Sequence, residues 1–186
     1  MCQRAKSLCV EICAGRWRQT SESERTTMDE EAKKEALRLF TYGLYAVTTG
    51  DDAEWSAFTA NWLGQVSFDP PLVAVSVENT SHSLPIIRRT RRFAVNIYSA
   101  GQRELAGLLG KSYAKHPQKL DGLAVTLTAT GCPVLVDALA WVECAVEGEL
   151  PAGDSTLVLG RVAEARVLRR DEEPLTMRAA GFRHAG

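Results

Sequence analysis

Read from Met28 onward, short β-rich apolar runs recur between Gly/Pro/Asp turns, and only three stretches carry helical spacing. Leu44 to Thr49 ends in Gly50-Asp51-Asp52, a turn sequence, and Trp55 to Phe58 is predicted to return as the second arm of a hairpin. Leu72 to Val77 reads Leu-Val-Ala-Val-Ser-Val, a strand predicted to be buried on nearly both faces. It is expected to begin no earlier, because Pro70 and Pro71 lack amide donors. Phe93–Ile97 and Val125–Thr130 are further strands, with Pro133 marking a break. Leu139–Glu147, stopping at Gly148 and Pro151-Ala-Gly153, pairs with Ser155–Leu168, in which Gly160 predicts a bend or bulge. The helices are Met28–Tyr42, Leu84–Arg89 and Gln102–Leu109. The first has Asp29, Glu30 and Glu31 at its start and an apolar face of Ala36, Leu37, Leu39 and Phe40. The second is predicted to be capped by Ser83, with Pro85 in its first turn. Six or seven strands with few, short helices predict a mainly β chain in a closed or nearly closed barrel.

Length changes this picture little: 186 residues suit one domain, with residues 1–28 as a polar extension, an arm, ahead of a domain at 29–186. Composition narrows the function more. Twenty-two Lys plus Arg against 23 Asp plus Glu leave a formal charge of -1, which excludes an extended polycationic surface for nucleic acid. No stretch reaches the 18 apolar residues or so of a membrane helix, so no membrane partner is expected. An odd count of five cysteines, with no apolar leader ahead of them, predicts a reducing, cytoplasmic setting. Cys2, Cys9 and Cys13 lack the further Cys or His that a four-ligand zinc site needs, so no metal is expected.

The chemically informative segment is Phe58-Thr-Ala-Asn-Trp-Leu-Gly-Gln-Val-Ser-Phe-Asp-Pro-Pro71, polar yet almost uncharged. Thr59, Asn61, Gln65 and Ser67 supply donors and acceptors beside Ala60 and Gly64, which leave the backbone open. That mixture suits a flat heteroaromatic cofactor, and it equally suits a buried loop bonded to itself. Glu78-Asn-Thr-Ser-His-Ser83 precedes a helix, so Thr80, Ser81 and Ser83 could hold a phosphate, or could form a plain capped loop. Arg88, Arg89, Arg91 and Arg92 cluster further on, either assisting a phosphate or lying, at least two of them, on solvated surface. His116 reads as loop, and His184 as a residue able to fold back over a site in a dimer. Cys132 sits at a bend and Cys144 reads as core. Neither Gly-x-Gly-x-x-Gly, nor a phosphate-binding Gly-x4-Gly-Lys-Ser/Thr loop, nor Gly-x-Ser-x-Gly is present, which argues against a Rossmann dehydrogenase or a hydrolase.

Gly43-Leu-Tyr-Ala-Val-Thr-Thr49, Phe58-Thr-Ala-Asn61, Val66-Ser-Phe-Asp-Pro-Pro-Leu-Val-Ala-Val75 and Arg92-Phe-Ala-Val-Asn96 together resemble the flavin reductase-like, FMN-binding split-barrel family. Gly153-Asp-Ser-Thr-Leu-Val-Leu-Gly160, Glu173-Pro-Leu175 and Gly181-Phe-Arg183 extend the likeness, which covers residues 36 to 186. The resemblance implies a split β-barrel homodimer with flavin near the subunit interface. It places Thr59, Ala60 and Asn61 along the flavin, Gln65, Val66 and Ser67 against its ring system, and Ser81, His82 and Ser83 at its phosphate end. Backbone amides around Gln65–Ser67 would face the part of the ring that becomes negative on reduction. It implies FMN, with FAD as the alternative, NADH or NADPH as donor, and free flavin, a monooxygenase or another protein as acceptor. The chain departs from the family at Ser155, where many reductases carry a His on the nicotinamide side. That residue weighs toward a second reading, an FMN-binding electron-transfer protein without efficient nicotinamide oxidation, and a barrel that only stores a flat ligand is a third. Trp55, Trp62 and Trp141 are expected to anchor the dimer.

Overall fold

Asp29 caps helix α1 (Glu30–Arg38): its carboxylate accepts the Glu31 and Ala32 amides at 3.0 and 3.1 Å. This computed structural model describes residues 28–183; the 1–28 extension short of Met28, with Cys2, Cys9 and Cys13, and also His184, lie outside the described residues. The apolar face expected of α1 finds no core among the described residues, because no α1 residue is buried and Phe40 is 61% exposed.

Strands β1 (Tyr45–Gly50) and β2 (Trp55–Ala60) form the predicted hairpin, with Asp51 accepting the Ala53 and Glu54 amides in its turn. Two residues later the chain enters β3 (Leu63–Phe68), paired with β4 (Pro71–Glu78). Periodicity misses β3, because its polar residues are interrupted by a register shift between Gln65 and Ser67. Strand β4 starts at Pro71, a first position where a missing amide costs nothing. It buries alternate residues Val73, Val75 and Val77 rather than both faces.

Helix α2 (Ser83–Thr90) has His82, not Ser83, at its cap position. Ser81 Oγ accepts the Ser83 amide at 3.3 Å, while the buried Ser83 hydroxyl lies 2.9 Å from Ser56 Oγ. Strand β5 (Arg92–Ile97) follows, then α3 (Arg103–Leu109), β6 (Val125–Leu127) and β7 (Pro133–Leu135). Pro133 opens a strand rather than breaking one. Buried Asn96 fastens β7 to the sheet, its Oδ1 accepting the Leu135 amide at 2.7 Å and its Nδ2 donating to Ala46 O at 3.0 Å.

Strands β8 (Ala140–Ala152) and β9 (Ser155–Val167) make a hairpin longer than predicted, since β8 runs through Gly148. Two register shifts interrupt the pairing: one leaves Ala163 of β9 as the extra residue opposite Glu143/Cys144, and the other leaves Glu147 of β8 opposite Leu159/Gly160, so the expected irregularity does lie at Gly160. Gly160 is needed for closeness: a Cβ there would lie 2.6 Å from Phe93 Cε1 and 2.7 Å from Cys144 Cβ. Helix α4 (Met177–Ala180) is the last element among the described residues.

The fold is mainly β. Seven strands form one antiparallel sheet in the order β2-β1-β5-β8-β9-β4-β3, with β6 and β7 as a separate pair. One side of the core gathers Val47, Val75, Phe93, Val95, Cys144 and Val158; the other gathers Leu44, Tyr98, Leu109, Leu135 and Leu175. Trp141 belongs to a third buried cluster, with Arg166 5.8 Å from its ring centroid, so it is core and not a surface anchor as expected. Trp55 is half-buried against the second cluster, and Trp62 is 41% exposed. No helix among the described residues is long and apolar enough to cross a membrane.

The outermost strands, β2 and β3, are consecutive in the chain. Asn61-Trp62 therefore joins the two edges of the sheet, and the Trp62 carbonyl accepts the Ser76 amide of β4 at 2.9 Å. The candidate site lies at this seam.

Candidate functional site

A cleft of about 840 Å³ opens beside β2. Ser56 to Asn61 form its floor, the 78–83 loop and the start of α2 one wall, and the end of α3 with residues 110–114 the other. Thr59, Ala60, Asn61, Ser81, His82, Ser83 and Ser155 all line it, from three separate parts of the sequence. Gln65, Val66 and Ser67 do not. They lie on the outer strand β3, where Val66 is 58% exposed and Gln65 Nε2 donates to Ser67 O at 3.0 Å.

Several lining hydroxyls are already committed to the fold. Thr59 Oγ1 donates to Ala106 O at 2.7 Å and receives the Tyr98 hydroxyl at 2.9 Å, tying β2 to α3. Tyr98 is fully buried, and loss of solvation pushes its phenol above the ordinary tyrosine value. Ser155 Oγ donates to Asp154 Oδ1 at 3.1 Å, in a turn where Gly153 adopts φ 68°. Thr156 Oγ1 donates to Asn79 Oδ1 at 2.8 Å, fastening that turn to the candidate phosphate loop.

Asn61 differs: its Nδ2 is buried and has no hydrogen-bond partner among the described residues. A buried amide donor without an acceptor costs about 1–3 kcal/mol, and Asn61 belongs to the cleft lining, so this amide is a candidate donor to a bound carbonyl. His82 stacks on Tyr113 with ring centroids 3.9 Å apart and planes 3° from parallel. Its Nε2 lies 3.0 Å from Glu54 Oε1, an ion-pair distance without hydrogen-bond geometry. Glu54 in turn meets Arg89, which also holds Asp51 at 3.1 Å. The Arg89 guanidinium keeps the Asp51 carboxyl below the usual range.

None of the four clustered arginines lines the cleft. Arg88 pairs with Glu149 at 2.9 Å, Arg89 with Asp51, Arg91 donates to Val146 O at 2.9 Å, and Arg92 to Thr90 O at 3.3 Å. The cations on the cleft are instead Lys111, Arg183 and the buried Lys119. Lys119 Nζ donates to Leu109 O and Lys111 O, each at 2.8 Å, closing the carboxyl end of α3, and burial lowers its pKa. Sequence reading passed over Tyr113 and Lys119, because nothing local marks a lysine that caps a helix ten residues upstream.

Cys132 and Cys144 are buried away from the cleft, and burial first, then the Glu143 carboxylate, pushes both thiols up to about 12. No group of His, Cys, Asp or Glu among the described residues could hold a metal ion. Among the described residues the cleft thus offers neutral hydroxyls, a buried unpaired amide and peripheral cations, but no nucleophile with its base. Such a donor set suits a flat, carbonyl-rich ring bearing an anionic tail, with the bound group carrying the chemistry.

Comparison with known proteins points the same way. The flavin reductase like domain family matches residues 37–186. A probable flavin reductase of Rhizobium meliloti (strain 1021) is 32% identical over 135 residues, covering 72% of this chain, which spans 42% of that protein's length. The NADH-dependent FMN reductase AsuE2 of Streptomyces nodosus subsp. asukaensis is 33% identical over 146 residues, 76% of this chain and 77% of that protein. Among solved structures, BorF, the flavin reductase component of a bacterial two-component tryptophan halogenase, superposes with a TM-score of 0.70 at 31% identity. That likeness covers 82% of this chain and 95% of BorF.

Proposed function

The chain belongs to the flavin reductase like domain family, and on that premise we propose that it is an NADH-dependent FMN reductase whose catalytic domain is 29–186, with 1–28 as an extension. The observation that carries this reading is the buried, unpartnered Asn61 amide on the floor of a cleft that also holds Ser81, His82 and Ser83. Asn61 would donate to a carbonyl of the ring, Thr59 and Ala60 would lie beneath it, and Thr80, Ser81 and Ser83 would receive the phosphate, aided by Lys111 and Arg183. Bound FMN supplies the redox chemistry, taking a hydride from the nicotinamide and giving electrons onward. The protein's task is to orient both rings and keep water from between them.

The fold is proposed to be a split barrel, the Asn61-Trp62 link drawing its two edges together. A second copy is proposed to cover β3, an outer strand whose Val66 and Phe68 side chains are 58% and 90% exposed. This arrangement would bring Gln65, Val66 and Ser67 to the flavin from the partner's side, which one chain alone does not do. The acceptor is proposed to be free flavin or the oxygenase partner of a two-component system, by analogy with BorF.

Ser155 supports a second reading, an electron-transfer flavoprotein, since its hydroxyl is turned to Asp154 and supplies no imidazole. Anaerobic stopped-flow mixing of FMN-loaded protein with NADH and with NADPH separates the two. Bleaching of the flavin by NADH within a turnover time is expected. If only dithionite or a reduced protein bleaches it, the reductase reading fails and the carrier takes its place.

A further inference from the structure

The His82–Tyr113 stack joins the two walls of the cleft at its phosphate end. His82 stands between the hydroxyls of Ser81 and Ser83, and Tyr113 comes from the opposite wall. Both sides of the bridge are held from behind. Glu54 lies 3.0 Å from His82 Nε2 and is itself engaged by Arg89 at 3.4 Å. The segment carrying Tyr113 is anchored at its root by the two Lys119 bonds to Leu109 O and Lys111 O, and it is folded into a turn by Ser112 O, which accepts the His116 amide at 3.0 Å. Two stacked rings with centroids 3.9 Å apart and planes 3° from parallel leave no room for a third ring between them.

Resting on the FMN assignment above, we propose that Tyr113 is a specificity-determining residue that makes the cleft select the mononucleotide over the dinucleotide. FMN ends at its phosphate and needs nothing beyond the Thr80–Ser83 loop. FAD continues past that point with a second phosphate and an adenosine, which must part Tyr113 from His82 to leave the cleft. The stacked contact is lost only for the longer ligand, so the discrimination equals the cost of opening the bridge.

The test is fluorescence-quenching titration of FMN and FAD into full-length protein, wild type and two variants. For Tyr113→Ala, FAD affinity relative to FMN is expected to rise about threefold to tenfold, with FMN affinity itself changing by less than about twofold. Tyr113→Phe keeps the ring and is expected to keep the wild-type ratio. An unchanged ratio in Tyr113→Ala overturns the proposal. So does weaker FAD binding in that variant, which would mean that the adenine stacks on Tyr113 instead of being excluded by it. Wild type that binds neither flavin defeats the FMN assignment itself, and the proposal with it.

Discussion

Residues 59–61 and 65–67 carry almost the same chemistry: small, uncharged and rich in hydrogen-bonding groups. Three residues of chain separate them, yet the first set floors the cleft and the second lies on an outer strand. What differs is the backing. Strand β2 pairs with β1 and is tied through Thr59 to Ala106 on α3, so its residues line a walled space. Strand β3 pairs only with β4, and among the described residues no helix packs on it. The contrast teaches that polar, uncharged sequence marks readiness to meet a ligand, whereas the neighbouring elements decide whether one chain or two must make the pocket.

The largest effect should come from charging the bare edge. If the proposed dimer forms through this strand, Phe68→Asp is expected to raise its dissociation constant by about a hundredfold, read by light scattering against protein concentration. If the resulting monomers still quench FMN fully, Gln65–Ser67 contribute nothing and the contrast between the two segments is complete within one chain. Next come paired glycines. Gly160→Ala should lower stability in urea unfolding by about 1–3 kcal/mol, because its Cβ meets Phe93 and Cys144. Gly64→Ala on β3 meets nothing within 4 Å and should stay within about 0.5 kcal/mol, unless a second copy packs there.

Asn61→Ala should weaken FMN by about 1 kcal/mol, while the ligand-free protein loses no stability, since an unpaired buried amide has been removed. On the proposed dimer, Gln65→Ala should weaken FMN only while two copies are associated, a dependence that titrations above and below the dissociation constant would show. A separate effect is alkaline. Cys132 and Cys144 are held up to about 12, so the unfolded chain gives up these protons first. Stability from them is fully present below a pH of about 9 and declines as pH climbs toward 12, which thermal melts at about pH 8 and 10 would resolve.

Much of the β architecture was legible because turns and apolar runs are local signals. Gly50-Asp51-Asp52 and Gly153-Asp154 sit at hairpin ends, and Asp29 caps a helix where the acidic start placed one. What escaped depends on distant partners. The Ser83 hydroxyl leaves the cap for Ser56, 27 positions earlier, and Trp141 is core because it packs with Ala94, Cys132 and Val134 while Arg166 lies over its ring. Gly160 does border a register shift, but the closeness that demands a glycine comes from Phe93, met only across the sheet. The site was half visible for the same cause. Thr59–Asn61 and Ser81–Ser83 carry their own chemistry, while Tyr113 and Lys119 acquire theirs from the wall they build.

The Asn61-Trp62 link has a consequence for the order in which the molecule assembles. The β1–β2 and β3–β4 hairpins are local and can form early, yet β5, β8 and β9 must come between them before the sheet is whole. The cleft lies where the two hairpins meet, so it exists only after the most distant pairings have closed. On refolding from denaturant, flavin quenching should therefore trail the recovery of β-sheet circular dichroism, and simultaneous recovery would show that the seam is already set in the first hairpins.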